Sequence, residues 1–148
     1  MITAWIKRLS VALFAGLITF AMNVSAAGFR CDICGMTIPD RARNHVTLTS
    51  AESEAKQLHV CSLSCVKKAR KHDPKLSKAE IADFHHPETM LSGDRAFFLI
   101  QSQKIKADMG EMAMSPYVAG FKTKKEAEAA KAKYGDGVVV QGTENAFK

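Results

Sequence analysis

A chain of 148 residues with 47% hydrophobic side chains is long enough for one domain with a real core, and too short for several. Its formal charge of +6 is modest and only 7% of its residues are aromatic. Basic side chains interleaved with aromatics, the footprint of nucleic-acid binding, are missing, so no nucleic-acid partner is expected.

The N-terminus reads as an export signal. Lys7 and Arg8 form a short positive region, and Leu9 to Met22 is almost wholly apolar. Val24-Ser25-Ala26 is a small-residue cleavage site, which assigns residues 1–26 to a signal peptide and 27–148 to the mature domain. The apolar run falls short of the roughly 20 residues of a spanning helix, which disfavours an uncleaved anchor. No lipid-acceptor cysteine sits at the junction, and the expected location is the periplasm. Lys7 and Arg8 account for 2 of the +6, leaving +4 in the mature part. That excess lies mostly in Lys67 to Lys71 and Lys122 to Lys133, which read as solvated helix faces.

His45 to Thr49 alternates and is β-branched, predicting a strand, and Gln57 to Cys61 predicts its hairpin partner. From Cys61 to Lys71 the period turns helical, with Ser62 as N-cap and Cys65, Val66 and Ala69 on one face. Asp73-Pro74 stops that helix. Glu80 to His86 is expected to be a short strand, and Arg95 to Gln101 a buried one. Ser102 to Ser115 reads as a loop carrying methionines, and Tyr117 to Phe121 as a further strand. Thr123 and Glu126 form a capping box for a helix through Tyr134. Gly135-Asp-Gly137 ends it, and Val138 to Val140 is the last strand. The order β-β-α-β-β-β-α-β has two similar halves, so the fold class is α+β: two ββαβ-like units, a mostly antiparallel sheet and packed helices.

All four cysteines fall in two pairs, Cys31-Asp-Ile-Cys34-Gly and Cys61-Ser-Leu-Ser-Cys65. A C-x-x-C-G turn, a hairpin and a cysteine pair at a helix start give the ligand order of a treble-clef-like metal knuckle. The helix N-terminus favours thiolate, and the C-x-x-x-C spacing stacks Cys61 and Cys65 on one face. Exported proteins live in an oxidising compartment, so disulfides are the competing reading. A 31–34 disulfide would close a very small loop and stabilise little; a redox-active dithiol is a third use of the same residues.

Met36 follows Cys34 by two positions and can place a thioether beside a thiolate on one ion. Thiolate and thioether together select soft ions, above all Cu(I). Met109, Met112 and Met114 lie within one polar stretch beside Gly110 and Pro116, where core packing and metal ligation are both open readings. His45, His59, His72, His85 and His86 show no recognised metal spacing, although His59 sits close enough to Cys61 to assist. No catalytic triad, carboxylate pair or phosphate-cradling loop is evident, so no enzymatic activity is expected.

The motifs Cys31-Asp-Ile-Cys34-Gly-Met36, Ile81-Ala-Asp83-Phe, Ala96-Phe-Phe-Leu-Ile100, Met114-Ser-Pro-Tyr-Val-Ala-Gly-Phe121 and Lys133-Tyr-Gly135-Asp-Gly occur in an order that resembles the NosL family of nitrous oxide reductase accessory proteins. The resemblance implies a Cu(I)-carrying metallochaperone working towards a copper-accepting enzyme of denitrification, nitrous oxide reductase, together with its copper-delivery or membrane assembly machinery. It places the family's Cys-x-Met on Cys34 and Met36 and its downstream methionine on Met114, with Met109 and Met112 as alternatives. Most members are lipoproteins, whereas this chain lacks the anchoring cysteine, so it is expected to be either soluble or held by its uncleaved signal. Gly120 also departs from the usual strand motif. The Cys61/Cys65 pair belongs to only some members and opens a zinc or four-thiolate site beside the copper ligands. Two other functions use the same residues: a thiol–disulfide redox module on Cys31 and Cys34, and a structural Zn(II) interaction domain on all four cysteines. The candidate ligand set is Cys31, Cys34, Met36, Cys61, Cys65, Met109, Met112 and Met114.

Overall fold

The computed structural model describes residues 28–111 and 113–148; the signal segment and Met112 lie outside them. Two short strands come first, β1 (Phe29–Arg30) and β2 (Thr37–Ile38), paired antiparallel around the first cysteine turn. Next come β3 (Val46–Thr49), β4 (Gln57–Val60), helix α1 (Leu63–His72), β5 (Lys78–Ala82) and β6 (Met90–Ser92). The second half holds β7 (Phe97–Ile100), α2 (Lys106–Met109), β8 (Val118–Phe121), α3 (Lys124–Tyr134), β9 (Val138–Gln141) and α4 (Thr143–Ala146).

Both halves build the same motif. In the first, β3 is central, with β4 on one side and β5 on the other, and β6 extends the sheet beyond β5. In the second, β7 is central between β8 and β9. All these pairings are antiparallel, and each central strand is the first of its unit. The expected pair of ββαβ units is therefore the architecture of the molecule.

Local signals explain the helices. Ser62 caps α1, its hydroxyl accepting from the Cys65 amide, and Cys65, Val66 and Ala69 form the buried face. Thr123 and Glu126 make the reciprocal capping box of α3, and Ala127, Ala130 and Tyr134 turn inward. Strand β7 reads as an unbroken apolar run because both of its faces are covered. Phe98 joins the core of the first unit with Leu48, Val66 and Ile81. Leu99 faces the opposite way, joining Phe121, Ala127 and Tyr134 under α3.

The units meet where Phe84 donates its amide to the Gly120 carbonyl at 2.8 Å. A β-carbon at Gly120 would fall 2.6 Å from Ile81 Cγ2. The glycine in that strand thus permits the close approach of the two halves.

Two expectations need correction, and the shortest strands carry no sequence signal. The strand expected over Glu80–His86 runs from Lys78 to Ala82, because Asp83 leaves the sheet for a parallel bridge to Gly120. The stretch read as loop from Ser102 to Ser115 contains α2, which sets Ile105 and Met109 one turn apart and buries both. Tyr134 and Lys133 anchor this segment through Asp108 Oδ2, at 2.6 and 2.7 Å. Strands β1 and β2, of two residues each, are too short to leave a periodic signal.

Candidate metal centre

The β1–β2 hairpin turns tightly between Cys31 and Met36. The Cys31 amide donates to Met36 O and the Gly35 amide to Cys31 O, both at 2.8 Å. Gly35 takes φ +74°, a conformation glycine adopts without steric cost. Arg30 Nε closes the turn from outside on Gly35 O at 3.0 Å.

Asp32 docks this turn on the first sheet. Its amide donates to His59 O at 2.9 Å, and its Oδ2 accepts from the His59 amide at 2.6 Å. The dock lies two residues ahead of Cys61, so one anchor sets the distance between the cysteine pairs. Asn44 Nδ2 fixes the strand end by donating to Cys61 O at 2.6 Å. The chain then enters α1, whose first turn carries Cys65.

The result is one cluster. The four sulfur atoms of Cys31, Cys34, Cys61 and Cys65 all lie within 4.8 Å of one another. Cys34 Sγ is 3.4 Å from Cys61 Sγ, and Cys61 Sγ is 3.8 Å from Cys65 Sγ. An ion bound tetrahedrally through sulfur at about 2.3 Å has sulfur–sulfur edges of about 3.8 Å. The thiols are free and gathered as a foursome rather than as two separate pairs. Cys31, Cys61 and Cys65 are buried, while Cys34 faces solvent.

Electrostatics divides the thiols. Burial pushes Cys31 up, but the backbone amides of Cys34, Ile33 and Cys61 outweigh it and bring the group down to about 7. Burial pushes Cys61 well above the usual thiol range, and the neighbouring sulfurs of Cys34 and Cys31 add to it. Burial raises Cys65 as well. The cage thus accommodates a thiolate readily at Cys31 and resists one at Cys61 or Cys65 without a cation. A bound soft ion reverses that balance, since coordination deprotonates thiols outright.

The methionines scatter. Met36 is half-buried against the first core, on the same turn as Cys31 and Cys34. Met114 is 46% exposed and lines a small crevice with Asn44, Ser62 and Leu63, next to the second cysteine pair. Met109 departs from the open-loop reading: it is only 3% exposed and packs among Phe84, Ile105 and Tyr117.

Sequence reasoning missed what holds the cage together. Neither Asp32 nor Asn44 carries a signal in the sequence pattern. The pairing of Thr47 with His59 also brings His45, two residues before Thr47, diagonally towards His59. His45 Nε2 lies 3.0 Å from His59 Nδ1. Phe29, one residue before Arg30, stacks on His59 with ring centroids 4.0 Å apart.

No protein-family model matches this chain, and no curated protein sequence does. Among solved structures it is similar to the crystal structure of the copper chaperone NosL from Shewanella denitrificans, with a TM-score of 0.58 and 23% identity. That likeness covers 78% of this chain and 87% of the other. The chain has the NosL-like fold.

Proposed function

We propose that this chain is a non-enzymatic Cu(I)-binding metallochaperone of the NosL family. The observation that carries the reading is the cage of four cysteine sulfurs within 4.8 Å, with a thioether, Met36, on the same turn. Thiolates and thioethers suit Cu(I) better than any oxygen-seeking cation. Similarity of fold to a protein described as a copper chaperone supports it. In this reading Cu(I) is cargo held by Cys31, Cys34, Cys61 and Cys65. Met36 and Met114 are auxiliary ligands, and Met109 is left to the core.

A carrier must also let go. Cys34 is the exposed member of the four, so an acceptor's thiolate or thioether meets it first and can replace the ligands stepwise. The acceptor we propose is a copper enzyme matured in the periplasm, nitrous oxide reductase, reached together with its assembly machinery. The signal-like segment at residues 1–26 supports export. No helix among the described residues is long and apolar enough to cross a membrane.

One observation favours a second reading. The 3.4 and 3.8 Å sulfur spacings also fit a tetrahedral Zn(II) site with a structural role. Anaerobic Cu(I) titration against a competing chelator, on protein purified without chelator and analysed for metal content, separates the two. Tight binding of Cu(I) that depends on Cys34 supports the carrier. Stoichiometric zinc that Cu(I) does not displace assigns the cage to structure, and two disulfides with no metal assign it to redox chemistry.

A further inference from the structure

Beside the thiol cage lies a second arrangement of ligand atoms that the copper reading does not use. His45 precedes β3 and His59 lies in β4, and their rings meet through Nε2 and Nδ1 at 3.0 Å. Phe29 covers both, 4.0 Å from the His59 ring centroid and 4.9 Å from that of His45. The pair opens on a cavity of about 300 Å³ whose wall includes Glu80, Glu88 and Met90. We propose that His45 and His59 form an imidazole-based metal site, separate from the thiolates, for a borderline first-row divalent cation.

The geometry suits an ion. Two nitrogens bound at about 2.0–2.1 Å lie about 2.9–3.4 Å apart when the bond angle is roughly 90–110°. The nitrogens already stand at that separation on two paired strands, so binding calls for ring rotation and not backbone movement. Both rings must present a lone pair, which puts the His45 proton on Nδ1 and the His59 proton on Nε2. One ring therefore changes tautomer, and no net proton is released.

The surroundings supply the rest. Glu80 pairs across the sheet with Thr47, as His59 does from the other side. Glu80 thus stands diagonally across from His45 in the register and lines the same cavity, where its carboxylate would bring the negative charge and oxygen donor that a divalent ion takes beside two imidazoles. Water from the open cavity completes the shell. The backbone of His59 is occupied by Asp32, which fixes its position while leaving the ring to the cavity. The site thus differs in chemistry from the thiol cage and adjoins it through the His59 backbone, held by Asp32, and through Phe29, two residues ahead of Cys31.

Co(II) added to protein whose cysteine cage already holds one Zn(II) tests the proposal. A second ion is expected to bind with visible d–d bands and no thiolate charge-transfer band, while zinc stays in place. His45→Gln and His59→Gln are each expected to weaken that binding by about tenfold or more, and the zinc content should not change. No second ion, equal binding by both variants, or a thiolate charge-transfer band would each overturn it. Should His59→Gln also lose zinc, His45→Gln alone decides, because His45 lies outside the docked cysteine turn.

Discussion

Asp32 and His59 grip each other twice, amide to carbonyl at 2.9 Å and carboxylate to amide at 2.6 Å. The first cysteine pair rides on Asp32, and the second follows His59 by two residues. Removing the carboxylate should loosen the cage without unfolding the domain. Asp32→Ala is expected to lower metal affinity by about 10–100-fold, measured by chelator competition. Asp32→Asn keeps an acceptor oxygen and should restore most of it; equal losses in both would show that charge, not positioning, is the contribution.

The methionines make a sharper test of copper. Met114→Leu and Met36→Leu preserve volume and remove only the thioether. Each should weaken Cu(I) retention about tenfold or less while zinc affinity and melting temperature stay near those of the parent, since thioethers favour the softer ion. Met109→Leu should change Cu(I) affinity least, because its sulfur lies in the second core.

Thiol ionisation sets an alkaline optimum for the metal-free protein. Cys31 falls from 9.0 to about 7 on folding, so its contribution is fully present above pH 9 and is lost as pH falls through 7. Cys61 and Cys65 move upward, so theirs is present below pH 9 and is lost as pH rises further. Chemical denaturation across pH 6–11 under reductant should show stability rising from 7 to 9 and declining beyond. Metal-loaded protein should lack the decline, because its sulfurs are already thiolates.

His45 governs the acid side. Its folded value of about 4 against an ordinary 6.5 means that the unfolded chain takes up the proton first. Stability from this group is present above pH 6.5 and drains away as pH drops towards 4. His45→Gln should flatten the denaturation profile over that window, and a profile unchanged by the substitution would show that the ring is not held neutral.

Gly120 offers a steric test. A methyl group there meets Ile81 Cγ2 at 2.6 Å, within a core that cannot yield freely. Gly120→Ala is expected to cost about 1–3 kcal/mol, read by urea denaturation. Combined with Ile81→Ala, which removes the opposing carbon, the two losses should be less than additive.

Much of this molecule was legible in its sequence. The capping box at Thr123 and Glu126, the Ser62 cap and the alternating strands all rest on neighbours in the chain, where local chemistry dictates structure. The cysteine spacing announced a shared site because knuckle, hairpin and helix start are each local. What stayed hidden depends on partners distant in sequence. Met109 looked like loop because a single helical turn leaves no periodicity; its burial comes from Tyr117 and Phe84. Gly120 looked like a flaw in a strand until Ile81 lay against it. The facing of His45 and His59 follows from hairpin register, which the alternation of Val46 to Thr49 could orient but not align.

Each half of the chain owns a complete ββαβ motif, which invites the idea of cutting it in two. Strand β7 forbids that. Its Phe98 belongs to the core that also holds Cys31, Cys61 and Cys65, while its Leu99 belongs to the core under α3. A severed first half would lose the floor beneath its own cysteines, and a severed second half would bare Phe98 and Val118 to water. Symmetry of topology here is not modularity. The two repeats are inseparable tenants of one party wall, and the core that backs the cysteines draws on both sides of it.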